Sequence, residues 1–134
     1  MKRTEHLALI LCLAAAAFAG CGGEDGTTAT LDSDVRGSPQ LHLEADPDGE
    51  LAYTAEEAVA SEGNVAFVIE NSTTRAHTVA VEDQSGKRLG RTAVAIKGEE
   101  SFTITMKAGT YTYYCVVPGH REGGMEGTLT VEPG

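Results

Sequence analysis

The chain has 134 residues, enough for one ordinary domain and too few for two, and 20 acidic residues outnumber 10 basic ones. The formal net charge of −10 argues against nucleic acid and anionic lipid as docking partners, because both repel an acidic surface.

The N-terminal segment predicts export. Lys2 and Arg3 form a short basic region, and residues 7–19 are apolar but too short to span a bilayer as a mature helix. The order Phe-Ala-Gly-Cys that ends at Cys21 resembles the lipobox of bacterial lipoproteins, in which the cysteine is lipidated and becomes the new N-terminus. We therefore predict a signal peptide at 1–20 and an extracytoplasmic protein held by lipid on the bacterial cell membrane, in the periplasm or at the cell surface. An ordinary cleaved signal is the alternative.

The segment after the predicted anchor reads as a linker. Residues 21–39 are rich in glycine, threonine, serine and aspartate, with few apolar positions and no sustained period. Such a composition predicts a flexible tether that leads into a folded domain at 40–134. Once the signal is removed, 8 basic and 19 acidic residues remain, a net charge of −11.

From residue 40 onward, short β-rich segments alternate with turn signals. The segments are QLHLEA (40–45), NVAFVIEN (64–71), HTVAVED (77–83), SFTITM (101–106), TYTYYCVV (110–117) and GTLTVE (127–132). Many short strands at fairly even spacing predict an all-β fold, an antiparallel Greek-key β-sandwich. The segment TAEEAVASEG (54–63) is predicted to add a helical turn. Alternation predicts inward-facing side chains at Leu41, Leu43, Phe102, Ile104, Met106, Val79, Val81, Leu129 and Val131.

The segment 113–127, which runs from the end of one predicted strand to the start of the last, carries Cys115, His120 and Met125. If Cys21 is lipidated, Cys115 is the one thiol of the mature chain, and such a thiol in an oxidising compartment must be buried or metal-bound to escape oxidation. Thiolate and imidazole together suit soft or borderline cations, and a weak thioether above a His₂Cys plane suits copper rather than zinc. A buried structural thiol, a core methionine and a surface histidine are the alternatives, one for each position.

A second histidine must come from elsewhere, and the mature chain offers His42 and His77 besides His120. His77 opens the alternating strand 77–83, and a sandwich brings strand ends together at one pole. We therefore expect His77 to be the second ligand. His42 is the competitor, but it alternates with two inward-facing leucines, which predicts a side chain that faces solvent.

The segment YTYYCVVPGHREGGMEGTLTV (111–131) resembles the C-terminal ligand loop of the cupredoxins, the family of plastocyanin, azurin and rusticyanin, with the rusticyanin-like spacing Cys-x4-His-x4-Met. FVIENSTTRAHTVAVED (67–83), which includes Asn71, is similar to the family's Asn-containing strand end before the first histidine ligand. The resemblance covers about residues 40–132. It implies a cupredoxin-like copper-binding domain that holds one copper ion through His77, Cys115, His120 and Met125.

Two positions depart from the family pattern. Thr78 stands where the family often has an asparagine that ties the two ligand segments together, and Val116 stands where a hydroxyl residue is common. Both positions concern hydrogen bonding around the ligands, which tunes a metal site. Neither departure removes a ligand.

The resemblance implies a mononuclear type 1 (blue) copper protein, not an enzyme. It would carry single electrons as a monomer between redox proteins, such as a cytochrome, an oxidase or a reductase, at the outer face of the cytoplasmic membrane. Enzymes with further copper centres need more histidines than the remaining His42, and binuclear sites need a second loop cysteine. An extracytoplasmic copper-delivery or storage protein is the alternative, although such proteins favour Met-rich motifs and this mature chain has only Met106 and Met125. The acidic stretch 44–62 contains no lysine or arginine, which favours a solvated face over a docking patch.

Overall fold

A computed structural model describes residues 28–29, 31–33 and 39–134. The predicted signal peptide and the predicted lipidation site Cys21 lie outside these residues. Within the described ranges there are ten strands and no helix, so none that could cross a membrane. The strands are β1 (Thr28–Ala29), β2 (Leu31–Ser33), β3 (Pro39–Glu44), β4 (Glu57–Ser61), β5 (Gly63–Asn71), β6 (Ala80–Glu82), β7 (Arg88–Arg91), β8 (Gly98–Met106), β9 (Gly109–Tyr114) and β10 (Glu126–Glu132).

The strands form two sheets, and this confirms the predicted all-β sandwich. One sheet has the order β1-β4-β10-β9-β6-β7 and the other β2-β3-β5-β8. The expectation of antiparallel pairing needs one correction, since both sheets are mixed. β4 runs parallel to β1 and β10, and β3 runs parallel to β5, because each of these neighbours is reached by a crossover rather than a hairpin.

The apolar alternation read from the sequence defines the core. Side chains from both sheets meet in one hydrophobic cluster, where Phe67 of β5 stacks on Phe102 of β8 with ring centroids 5.1 Å apart. Phe102 and Ile104 are partly buried, and Met106 is buried. The other side chains predicted to face inward are at most 2 % exposed: Leu41, Leu43, Val79, Val81, Leu129 and Val131.

The predicted helical turn at 54–63 is wrong. Glu57–Ser61 is strand β4, which buries Ala58 and Ala60 on one face and leaves its two end residues exposed. Alanine and glutamate favour helices, but pairing with β10 along five residues outweighs that weak local preference.

Part of the predicted tether at 21–39 is also strand. β1 pairs with β4 and β2 pairs with β3, so each short strand covers what would otherwise be the edge of its sheet. Covering the edge satisfies backbone N–H and C=O groups that an open edge leaves unpaired. The sheets therefore include residues that precede the predicted domain boundary at 40.

Strand register brings three chain segments together at one pole of the sandwich. Ala80 of β6 and Glu126 of β10 both lie opposite Tyr114 of β9. Because β9 is antiparallel to both neighbours, the residues before β6, after β9 and before β10 share this pole. His77, Cys115 and Met125 occupy these three positions.

Candidate metal centre

Three of the four predicted ligands converge at this pole. The ligand atoms of His77, Cys115 and His120 all lie within 4.8 Å of one another. Cys115 Sγ is 3.6 Å from His120 Nδ1, and the centroids of the two imidazole rings are 5.0 Å apart. His77 therefore lies beside the loop residues Cys115 and His120, as the position of the strand ends predicts.

His77 is the most informative member of the group. Its side chain is fully buried, and neither Nδ1 nor Nε2 has a hydrogen-bond partner among the described residues. A buried polar group without a partner costs about 1–3 kcal/mol. The backbone fixes the residue independently, because His77 N–H donates to the Ala95 carbonyl and the His77 carbonyl accepts from Ala95 N–H. An imidazole held in place with unsatisfied nitrogens is what a metal ligand needs.

Backbone hydrogen bonds between the predicted ligand residues themselves fix the loop 115–125. Cys115 N–H donates to the Met125 carbonyl at 3.1 Å, and Met125 N–H donates to the His120 carbonyl at 3.0 Å. Gly119 adopts a positive φ of 82°, which favours glycine, in the turn that ends at His120. Cys115 and Met125 are both buried in the same cluster of core side chains.

The competing histidine, His42, lies elsewhere. It projects from β3, where its Nδ1 is 2.5 Å from Glu70 Oε1 and its Nε2 is 3.1 Å from Gln40 Oε1. It belongs to a second group of possible ligands, with Glu70 and Glu99, and not to the group at the pole.

The profile of the family described as copper binding proteins, plastocyanin/azurin family, matches residues 40–132. The chain belongs to this family. A comparison with curated protein sequences finds no significant match. The family assignment agrees with the cupredoxin resemblance read from the ligand loop.

Solved structures of cupredoxins share the fold. Auracyanin A, a "blue" copper protein of Chloroflexus aurantiacus, is 22% identical with a TM-score of 0.63, over 72% of this chain and 100% of that one. A reduced auracyanin of Roseiflexus castenholzii is 21% identical with a TM-score of 0.62, over 70% of this chain and 97% of that one. Reduced rusticyanin is 21% identical with a TM-score of 0.57, over 81% of this chain and 89% of that one. At these identities the likeness carries the fold alone.

Copper is the metal of this cupredoxin, and His77, Cys115, His120 and Met125 are arranged as a type 1 copper site. The donor set fits the metal on chemical grounds. One thiolate and two imidazoles suit copper, and a thioether suits the weak axial position. The unpartnered nitrogens of His77 fit the same conclusion.

Thr78 performs the linking role that the sequence left open. Its N–H donates to Cys115 Sγ at 3.4 Å, and its hydroxyl donates to the same sulfur at 3.6 Å. The hydroxyl also accepts a bond from Val116 N–H at 2.9 Å. A threonine therefore ties the His77 segment to the Cys115 segment, and the absence of an asparagine does not disconnect them.

Two further residues brace the site and were not predicted. Tyr53 is buried and its hydroxyl donates to the Thr78 carbonyl at 2.6 Å. Asn71 is 3 % exposed and its amide donates to the carbonyls of Ala95 and Arg75. Asn71 therefore holds both the strand partner of His77 and the loop before it. The one signal in the sequence was the Asn at the strand end, which the family resemblance included without a role.

Burial favours the neutral, ligating form of both imidazoles. It lowers the pKa of His77, and the neighbouring His120 and Arg75 lower this pKa further. The pKa of His120 is lowered by burial and by Arg75. A lowered pKa favours the neutral ring, which has a free lone pair for a metal.

Among the four predicted ligands, only His120 is partly exposed. His77, Cys115 and Met125 are at most 1 % exposed. Val117 is half-buried and Pro118 is exposed in the turn that precedes His120. Any partner that approaches the site from solvent therefore meets His120 and this apolar turn first.

Proposed function

We propose that this cupredoxin is a one-electron carrier, with His77, Cys115, His120 and Met125 as its copper ligands. It would accept an electron from one redox protein and pass it to another, such as a cytochrome, an oxidase or a reductase. That the protein is a copper-binding cupredoxin follows from the family match over residues 40–132. The ligand assignment rests mainly on one observation, which is the buried His77 with two unpartnered ring nitrogens beside Cys115 and His120.

The ligand residues divide the work. Bound copper supplies a Cu(II)/Cu(I) couple, so one electron taken from a donor is one electron given to an acceptor. Cys115 would hold the metal through its thiolate, and His77 and His120 through imidazole nitrogens. Met125 would add a thioether donor, and the backbone bonds from Cys115 to Met125 and from Met125 to His120 keep these side chains in place.

Electron exchange is proposed to occur over His120. It is the predicted ligand that reaches the surface, whereas the other three are enclosed by the core. A partner that packs on Val117 and Pro118 would come within the shortest distance of the site. The exposed apolar side chains Val94 and Ile96 flank Ala95, the backbone bridge partner of His77.

Copper delivery or storage is the competing function. Handing a metal to an acceptor requires ligands that the acceptor can reach and replace. Three of the four proposed ligands are at most 1 % exposed, which supports retention of the metal rather than transfer. Electron carriage is accordingly the function that we propose.

The decisive experiment is the addition of Cu(II) to purified residues 21–134, followed by visible absorption and electron paramagnetic resonance. We expect one copper per chain, a strong thiolate-to-copper charge-transfer band, and its reversible loss on reduction by one electron. Preferred binding of zinc without that band would contradict the assignment. A metal-transfer assay against a copper chelator then separates carriage from delivery, since a carrier retains its metal through repeated redox cycles.

We also propose that the protein is anchored by lipid at Cys21 on the outer face of the cytoplasmic membrane, and acts there as a monomer. Fractionation of cells that express the full chain tests this location. Wild type is expected with the membranes, and Cys21→Ser is expected to be soluble or to remain an unprocessed precursor. Soluble wild-type protein in an intact envelope would contradict the anchor without affecting the copper site.

A further inference from the structure

Arg121 directly follows His120 and contacts three other parts of the molecule. Its guanidinium makes a two-pronged pair with Glu82, with Nη2–Oε1 and Nη1–Oε2 distances of 2.6 and 3.1 Å. Its Nε donates to Glu126 Oε2 at 2.8 Å. Its Cζ lies 4.1 Å from the ring centroid of Tyr114.

Each of these contacts is adjacent to a different proposed ligand. Tyr114 is the residue before Cys115, and Glu126 is the residue after Met125. Glu82 ends β6, the strand that follows the His77 segment. Arg121 itself follows His120. A single side chain therefore joins the chain segments that supply all four ligands.

The Arg121–Glu82 pair differs from an ordinary exposed ion pair in its burial and its geometry. Exposed ion pairs contribute about 0–1 kcal/mol, because two flexible side chains must be ordered in water. Here the Glu82 side chain is only 13% exposed, and the planar fork of the guanidinium matches the carboxylate. The guanidinium also lies over the Tyr114 ring, a cation–π contact that further restrains the side chain. The hydrogen bonds to Glu82 and Glu126 also raise the pKa of Arg121 above its usual range.

We propose that Arg121 is a positioning residue for the metal centre, which clamps the ligand loop 115–125 against β6, β9 and β10. Backbone bonds already link Cys115, Met125 and His120 to one another, but none of those bonds reaches the segment that carries His77. Thr78 makes that connection inside the site, and the Arg121–Glu82 pair makes it on the outer side. The inference rests on the proposed function, because it concerns the four proposed ligands.

The clamp predicts a graded dependence on the shape of the side chain at position 121. Lysine keeps the charge but has neither the planar fork that matches Glu82 nor the guanidinium that lies over Tyr114. Glutamine at position 82 keeps the size of the side chain and removes the charge that Arg121 pairs with. Arg91 is an exposed arginine of the same sheet, opposite Ala80, and offers a matched control for an Arg→Lys change.

The experiment compares wild type, Arg121→Lys, Glu82→Gln and Arg91→Lys as purified residues 21–134. Three quantities are measured: Cu(I) affinity by competition with a chelator, amide hydrogen exchange of residues 116–124 in the metal-free protein, and the denaturant midpoint of the metal-free protein. For Arg121→Lys we expect Cu(I) affinity to fall by about tenfold, as for other partners that orient metal ligands, and loop exchange to accelerate by a similar factor. We expect smaller changes in the same direction for Glu82→Gln and none for Arg91→Lys.

Copper affinity and loop exchange in Arg121→Lys within twofold of wild type would overturn the clamp. A lowered denaturant midpoint with unchanged affinity would also overturn it, since that result describes a stabilising contact and not a positioning one. If Arg121→Lys does not fold, Glu82→Gln decides by the same criteria. A wild type without the charge-transfer band would instead overturn the proposed function, so the two failures are distinct.

Discussion

Among the residues that the structure describes, two groups of side chains have donor atoms close enough to share a cation, and they differ in almost every other respect. One is His77, Cys115 and His120 at the pole of the sandwich, and the other is the outer-face group His42, Glu70 and Glu99. The first is buried or half-buried and includes a soft sulfur donor. The second is half-buried to exposed, and its carboxylates are hard oxygen donors.

The contrast is sharpest between the two histidines. His42 has a partner at each ring nitrogen, Glu70 at 2.5 Å and Gln40 at 3.1 Å. His77 has a partner at neither nitrogen within the described part of the chain, although its side chain is fully buried. Proximity of donors is therefore a weak indicator of a metal site. The combination of burial, unsatisfied donors and matched softness is what separates the two groups.

The largest expected effect tests the sulfur donor. Replacing Cys115 with alanine should abolish the charge-transfer band completely, because that band arises from the thiolate–copper bond. Visible absorption after addition of Cu(II) measures this outcome. The matched change at the outer-face group, Glu70→Gln, should leave the band intact. A band that survives in Cys115→Ala would place the copper on other donors.

The second prediction opposes the two histidines directly. His77→Ala should weaken copper binding by more than about 100-fold, since loss of a ligand exceeds the range expected for an outer partner. His42→Ala removes only a surface pair worth about 0–1 kcal/mol and should leave copper affinity unchanged. Chelator competition on both variants gives the comparison. Equal losses would show that His42 contributes to the site.

Much of this contrast was accessible from the sequence. The three loop ligands are local in the chain, and the softness of sulfur indicates copper without any structure. His77 was distinguished from His42 by strand periodicity, because a one-residue shift along a strand moves a side chain to the opposite face. The fold class followed from the spacing of short alternating segments, although their alternation does not reveal whether neighbouring strands run parallel.

The side-chain contacts around the proposed ligands could not be predicted from the sequence. Arg121, Glu82 and Tyr53 act through side chains that are distant in sequence, and no local pattern marks which partner each one selects. The helical turn expected at 54–63 failed for the same reason. Its alanines favour a helix locally, whereas pairing with β10 decides the conformation.

The third prediction compares two candidate docking surfaces for a redox partner, the turn next to His120 and the acidic stretch 44–62. Val117→Glu places a charge on the half-buried turn next to His120, and we expect electron exchange with a redox partner to slow by about tenfold. The copper spectrum should remain nearly unchanged, because Val117 is not a proposed ligand. Stopped-flow oxidation or reduction measures the rate. Unchanged rates in Val117→Glu together with slowed rates in Glu44→Lys would move the docking site to the acidic stretch.

The smallest expected effect concerns the Thr78 hydroxyl, a hydrogen-bond donor to Cys115, the predicted sulfur ligand that has no counterpart in the outer-face group. The hydroxyl of Thr78 donates to Cys115 Sγ and accepts from Val116 N–H, whereas Thr78 N–H donates to the same sulfur independently. Thr78→Val keeps the shape and the backbone bond but removes the hydroxyl. A hydrogen bond draws charge from the thiolate and so favours the reduced metal, which means that its loss should lower the reduction potential. One bond of about 1 kcal/mol corresponds to about 40 mV for one electron, and this is the upper limit that we expect.

Thr78→Ser is the matched control, because it retains the hydroxyl and loses only a methyl group. We expect its potential to stay near the wild-type value, while Thr78→Val shifts downward, both measured by redox titration of the visible band. The Val variant should also lose about 1 kcal/mol of stability, since it leaves Val116 N–H without its acceptor. An upward shift in Thr78→Val, or an equal shift in both variants, would mean that the methyl group and its packing, not the hydroxyl, set the environment of the sulfur. In that case the link between the His77 and Cys115 segments would rest on the Thr78 backbone N–H and on Arg121.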